Sequence, residues 1–523
     1  MRLVPLLTAS AVLAAMAALA PTAGAASSGP AGSPPGDCRA RVAGLDLQTA
    51  SFADLQQAMA GGRLTSRQLT TAYLNRIKAY DGPTNSIRAL NPRALRDAAR
   101  LDAERRAGHV RGPLHGVPVV LKDNIGTTDL PTTAGSIALE GSIPKTDAFL
   151  TARLRKAGAI ILGKTNLSEF ANWVDLSMPN GYSSLGGQVK NAYTMGDPSG
   201  SSSGSGVAGS MAFAAGAFGS ETSGSILSPS DVNGLVGVKP TRGLVSRAGI
   251  IPLAEGFDTA GPMTRTVADA AALLTAVSGT DARDAATAAA SEHATDYLKG
   301  LRGASLKGVR LGYSPDSFPT TGARGKVFTQ VLTDLKRLGA TLVETDVVDY
   351  GGNAGLTELA LIPNDFKANL NHYLTTEIPT PRSGVKSLSA IIAFNDKHPD
   401  KVKYGQSLLQ ASDAMPGEAN TASAGSLALR TAMGAVIDGA LAKDSLDAIL
   451  APGASYANAG ASAGYPTVIV PAGLVSEQTA TGISFMGTAW SEAKLLRIAA
   501  AYEAGSHRRV PPTVVNDDLV TGC

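Results

Sequence analysis

Two clusters of serine in the stretch Ser199–Thr241, SGSSSGSGVAGSMAFAAGAFGSETSGSILSPSDVNGLVGVKPT, hold the residue type with the most chemistry to offer in this chain. A serine hydroxyl attacks a carbonyl once a neighbouring base takes its proton, which is the chemistry of acyl transfer. Glycine and serine at this density form a loose linker or else let the backbone approach a ligand closely. The residues between the clusters decide. Val207, Met211, Phe213, Ala214, Ala215 and Phe218 are apolar enough for a buried helix, so a core holds the serines in place. The stretch is read as an active site.

Three sequence patterns compete for the chemistry. Gly158–Thr165, GAIILGKT, matches a phosphate-binding loop, but the residues that should cradle phosphate are apolar and strand-like, with the helix before rather than after them. Gly204–Gly209, GSGVAG, matches the dinucleotide fingerprint without the strand that should precede it. Gly200–Gly204 matches G-x-S-x-G, which would make Ser202 the nucleophile of an α/β-hydrolase-type esterase. His293, His372, His398 and His507 could serve such an enzyme, but Tyr193–Ser199 is not the apolar strand the elbow requires. It stands as the alternative.

With 523 residues, 46 Lys and Arg against 43 Asp and Glu, and 44% hydrophobic residues, the chain has material for a large core and no basic bias. Without a basic run interleaved with aromatics, nucleic acid is not expected as a partner. Residues 1–25 combine Arg2, an apolar run and Ala23-Gly24-Ala25, the pattern of a cleaved signal peptide. The expectation is a secreted, extracellular monomer with no membrane contact after cleavage. Residues 26–46 read as a disordered leader, 47–510 as one catalytic domain and 511–523 as a C-terminal tail. Cys38 and Cys523, one near each end of an exported chain, suggest a disulfide joining the termini. Two cysteines and six histidines without HExxH leave no basis for a metal, and no cofactor is implied.

Helix starts are expected at Ser51 and Thr65, and Asn91-Pro92 opens a third helix running to about Arg106. Val117–Leu121 reads as a buried strand with Lys122-Asp123-Asn124 at its C-terminal end, where ligands of open α/β sheets gather. Helix and strand then alternate: 147–157 helical, 159–162 a strand, 309–311 a strand, 326–338 helical, with strands at 341–343, 447–450, 467–470 and 483–486 and a closing helix near 491–502. Residues 280–305 and 412–428 read as surface excursions. This is an α/β protein, with a large mixed β-sheet core covered by helices on both faces.

GPLHGVPVVLKDN at 112–124, GKTNLSEFAN at 163–172, GSILSP at 224–229 and NGLVGVKPT at 233–241 together resemble the amidase signature family, from about Phe52 to Tyr502. GSSSGS, SETSGSI, GLVSRAGIIP and FMGTAWSEAKL are similar to segments of its bacterial peptide-amidase branch. The resemblance implies the amidase signature fold and a Ser-cisSer-Lys triad. Matched motif to motif, the lysine falls on Lys122, the cis-serine on Ser201 and the nucleophile on Ser225. It also implies a peptide or small-molecule amide as substrate, the C-terminal amide of peptides first, with a non-catalytic exported peptide-binding scaffold as the contrary reading.

The chemistry agrees with the resemblance. With no histidine in the serine-bearing signature stretch the base must be lysine, whose pKa of about 10.4 has to fall toward about 7 or 8. Burial at the end of an apolar strand does this, provided the neighbouring Asp123 turns away. Ser201 would relay the proton. Backbone N–H groups of Thr222, Ser223, Gly224 and Ser225 would form the oxyanion hole, each contributing about 3 kcal/mol. Ser202, Ser203 and Ser205 are candidates for supporting hydrogen bonds, His115 is structural, and Trp490 and Phe485 fill core. Leu227, Glu221, Ser199 and Ser203 depart from the family pattern; Leu227 replaces an arginine and removes a charged-substrate contact.

Overall fold

A computed structural model of the chain describes residues 40–345, 352–379, 381, 383–417, 419–516 and 519. The expected signal peptide, the leader up to residue 39, Cys38 and Cys523 lie outside the described residues. Arg41–Val42 and Leu45–Asp46, at the end of the stretch read as leader, pair as a short antiparallel hairpin.

Among the described residues the main sheet contains β1 (Ile87–Leu90), β2 (Pro118–Lys122), β3 (Ile160–Thr165), β4 (Gly216–Glu221) and β5 (Val236–Lys239). Then come β6 (Thr259–Thr264), β7 (Arg310–Tyr313), β8 (Thr341–Glu344), β9 (Ala448–Pro452), β10 (Thr467–Ser476) and β11 (Thr479–Met486). The sheet is 11-stranded and mixed, in the order β8-β7-β9-β11-β10-β5-β6-β4-β2-β3-β1. β2 runs parallel to both β3 and β4, while β6 is antiparallel to β4 and β5. All residues of β2 and β3 are buried, which is why both read as unbroken runs rather than alternating ones.

The serine-rich stretch folds differently from its apolar reading. The helix covers Ser203–Ser210, inside the glycine-serine cluster, and includes Val207; Met211, Phe213, Ala214 and Ala215 form the buried connection beyond it, and Phe218 enters β4. Small residues are what close packing selects here: a Cβ on Gly204 would lie 2.4 Å from the carbonyl oxygens of both Asn166 and Ser86. The helix lies on β4 and β2, and every one of its residues is buried.

Two long helices, Gly352–Thr376 and Ala419–Lys443, pack against each other. The second begins inside 412–428, whose described side chains other than Ser412 and Ser426 are exposed or half-buried, in keeping with the reading of that segment as a surface excursion. Residues 280–305 are mostly exposed or half-buried as expected, with Asp284, Thr287, Ala290 and Tyr297 turned into the interior. Alanine and serine in these segments supply helix propensity and small packing surface without the leucine-type periodicity that marks a buried face.

Candidate active site

Lys122 ends β2 and is fully buried. Its Nζ lies 2.8 Å from Ser201 Oγ, 3.0 Å from Ser220 Oγ and 3.2 Å from the Ser220 carbonyl oxygen. Among the described residues no carboxylate touches it. Burial brings its pKa down to about 7, with Asp258 and Glu221 pulling the other way from a distance. The parallel register of β2 with β4, Leu121 against Phe218, is what carries Ser220 to the lysine.

Asp123 turns away. Its carboxylate accepts from Thr133 Oγ1 and lies 3.5 Å from Lys164 Nζ. Lys122 therefore faces hydroxyls on one side of the sheet while Asp123 pairs with a second lysine on the other.

The Gly200–Ser201 peptide bond is cis. Ser168 N–H donates to the Ser201 carbonyl at 3.1 Å, and Ser202 N–H donates to the Ser225 carbonyl at 3.2 Å. This second bond ties the two serine loops together one residue from Ser201. Among the described residues Ser225 Oγ has no hydrogen-bond partner, and Ser225 is 9% exposed where Ser201, Ser202, Ser203 and Ser205 are each 0%. Ser202 Oγ donates to the Ser220 carbonyl, and Ser205 Oγ to that of Phe218, so both are spent on holding β4. Lys122 and Ser201 are thus in direct contact, and Ser225 is joined to them through backbone.

Gly224 adopts φ 82°, a left-handed turn that glycine takes without strain. Among the described residues the N–H groups of Thr222, Ser223 and Ser225 meet no protein acceptor. That of Gly224 faces the Glu221 carboxylate, as do those of Ile226 and Leu227, at 2.7 and 3.0 Å from Oε2. Glu221 thus fastens the turn that presents Ser225. Leu227, fully buried, packs with Ala457 and Ile469. The side chains of Thr222 and Ser223 are anchored outward, on Asp258 and on Asn458.

Sequence reasoning missed Ser220 and Asn124. Asn124 Nδ2 donates to Ser220 Oγ at 2.9 Å, so Asn124, Ser220 and Lys122 form one chain of hydrogen bonds. Only the pairing of β2 with β4 could have revealed it. His115 and Phe485 match their structural reading: His115 Nε2 bonds the Leu101 carbonyl, and Phe485 is fully buried. Trp490 stacks on His293 at 4.3 Å.

Beside this cluster lies a cavity of about 410 Å³, whose wall includes Asn124, Ser220, Thr222 and Asp258. Among the described residues no group of His, Cys, Asp and Glu could hold a metal ion, and no helix is long and apolar enough to cross a membrane.

A family model described as Amidase matches residues 68–460. The chain is 39% identical over 486 residues to a probable amidase of Arabidopsis thaliana, covering 90% of this chain and 93% of that protein. It is similar to the native peptide amidase of Stenotrophomonas maltophilia, 44% identical with a TM-score of 0.84, over 89% of this chain and 98% of that one. A structure of the peptide amidase in complex with the competitive inhibitor chymostatin matches equally, 43% identical with a TM-score of 0.84, over 89% and 99%.

Proposed function

The chain belongs to the amidase family of amide-hydrolysing enzymes, and we propose that it is a secreted member that hydrolyses the C-terminal carboxamide of peptides to carboxylate and ammonia, through an acyl-enzyme on Ser225. One contact carries this reading. Lys122 Nζ, buried with no carboxylate in contact among the described residues and with its pKa near 7, lies 2.8 Å from Ser201 Oγ. Neutral at working pH, the amine donates its two N–H bonds to Ser220 Oγ and the Ser220 carbonyl, which leaves its lone pair for the Ser201 proton.

The Lys122–Ser201 contact supports a proton relay that would begin at Ser225. Ser225 Oγ bonds to the amide carbon while its proton passes to Ser201 Oγ, and the Ser201 proton passes to Lys122 Nζ. The carbonyl oxygen gathers negative charge against the free amides of Thr222, Ser223 and Ser225. The proton returns from Lys122 through Ser201 to the amide nitrogen, the C–N bond breaks, and ammonia leaves. Water then repeats the sequence on the Ser225 ester, releasing the carboxylate.

Ammonia release from a C-terminally amidated peptide tests the reading. Ser225→Ala should abolish it, whereas Ser202→Ala should retain most of it. A silent Ser202→Ala beside an active Ser225→Ala would transfer the nucleophile to the elbow serine. A wild type that binds amidated peptides and releases no ammonia from any amide would favour a scaffold. Export rests on residues 1–25, and the protein recovered from medium should begin near residue 26 with Cys38 and Cys523 oxidised.

A further inference from the structure

Among the described residues, four buried polar atoms without a protein partner belong to residues that line the cavity beside Lys122 and Thr222: Asn124 Oδ1, Thr259 Oγ1, Asn369 Nδ2 and Tyr373 OH. Their residues are 6%, 2%, 9% and 3% exposed, so none is answered by bulk solvent at the surface. A buried polar group left unpaired is destabilising, and several unpaired around one cavity invite a ligand that pairs them. Asn369 and Tyr373 stand four residues apart on the helix Gly352–Thr376 and so share a face. They bring two donors, and Asn124 Oδ1 brings an acceptor. Ile250 and Leu253 on the same wall supply apolar surface.

The chemistry says which half of a substrate enters. If ammonia is the leaving group, it needs almost no room, and a cavity of about 410 Å³ reaching Thr222 can serve only the acyl half. A peptide backbone offers N–H and C=O groups in alternation and satisfies a mixed set of donors and acceptors. An aliphatic or aryl acyl group would leave all four atoms unpaired, which a polar subsite penalises strongly.

We propose that Asn369 and Tyr373, with Asn124 and Thr259, form an acyl subsite that hydrogen-bonds the peptide backbone preceding the scissile amide. The preferred substrates are then amidated peptides of two or more residues rather than small aliphatic or aryl amides. The assignment rests on the amide-hydrolysing reading of Ser225 and adds to it a selection by chain length.

Kinetics of the full-length protein on N-acetylalaninamide and on an N-acetylated tripeptide amide test it, with Tyr373→Phe and Asn369→Ala beside the wild type. The wild type should gain in kcat/KM with peptide length. Each variant should lose about three- to tenfold on the tripeptide amide, through KM and not kcat, so that the gain with length shrinks. Tyr373→Phe deletes only a hydroxyl that has no protein partner, so its melting temperature should hold or rise. An unchanged KM, a loss confined to kcat, or equal losses on both substrates overturns the subsite. A wild type that hydrolyses N-acetylalaninamide without any gain on the tripeptide amide overturns the subsite while leaving Ser225 in place; a wild type that releases ammonia from neither overturns both readings.

Discussion

Two buried lysines stand near the C-terminal ends of neighbouring parallel strands, Lys122 on β2 and Lys164 on β3, and they have opposite fates. Both are fully buried, and burial lowers both, to a pKa of about 7 for Lys122 and about 8 for Lys164. Their partners differ. Lys164 Nζ donates to the Ile125 carbonyl at 2.5 Å and to Thr132 Oγ1 at 2.9 Å, and has Asp123 Oδ1 at 3.5 Å. Lys122 has two serine hydroxyls and one carbonyl. A carboxylate at contact distance favours the ammonium and makes a structural cation; hydroxyls tolerate either form and make a base. Asp123, next to Lys122 in sequence, is delivered to Lys164 because consecutive strand residues face opposite sides. The lysine of the false phosphate-binding pattern is therefore what keeps a carboxylate occupied away from Lys122.

Replacing each lysine with methionine gives the sharpest test of that contrast. Lys122→Met should cut ammonia release by about a hundred- to ten-thousand-fold, the range of a lost general base, while its melting temperature holds or rises because a buried amine without a contacting counter-ion has gone. Lys164→Met should do the reverse. It leaves Asp123 buried without its contacting cation, with the Thr133 hydroxyl and the more distant Arg88 charge remaining, at about 3–5 kcal/mol of stability, read by denaturant unfolding, and the protein that remains folded should still turn over substrate. A Lys122→Met protein that keeps activity, or a Lys164→Met protein as stable as wild type, breaks the comparison.

The pH profile comes next in size. Below about pH 7 Lys122 holds its proton and cannot accept another, so kcat/KM should fall by about tenfold per unit on the acid side and level off above. In a Lys164 variant measured while folded, that limb should stay in place. A limb that moves by a full unit would mean that the Asp123 charge reaches Lys122 after all.

What was legible in the sequence follows from what is local. β2 is a continuous apolar run, so it could be placed to within a residue, and with it Lys122, while β3 runs three residues past its expected end, through Gly163, Lys164 and Thr165. Ser201 and Ser225 came from motifs. Four strands went unread, β1, β4, β5 and β6, because stretches such as GAFGSE and TAGPMT carry glycine, serine and proline where strand propensity expects branched or aromatic residues. Missing β4 meant missing Ser220, which meets Lys122 across 98 positions of chain and only through strand pairing. Asn369 and Tyr373 were invisible for the same reason: a helix in an unpatterned segment shows nothing of the cavity it borders.

The smallest effect belongs to Ser220, and it tests the contrast from inside. Its hydroxyl accepts from both Lys122 Nζ and Asn124 Nδ2, while its carbonyl accepts from Lys122 independently of the side chain. Ser220→Ala removes one of the two acceptors that hold the neutral amine with its lone pair toward Ser201. The lysine loses orientation but keeps its place, so kcat should drop about three- to tenfold with KM held, the loss of one neutral hydrogen bond. The sign of the accompanying pH shift follows from which form the hydroxyl favours. Accepting from the ammonium stabilises the charged state, so deleting the hydroxyl should lower the Lys122 pKa and move the acid limb to lower pH. The deficit should then be smaller at pH 6 than at pH 8, and Ser220→Thr, which restores the hydroxyl, should recover both rate and limb. An acid limb that moves upward in Ser220→Ala would mean that some other group was supplying the proton acceptor, and that the hydroxyl surroundings of Lys122 do not account for its difference from Lys164.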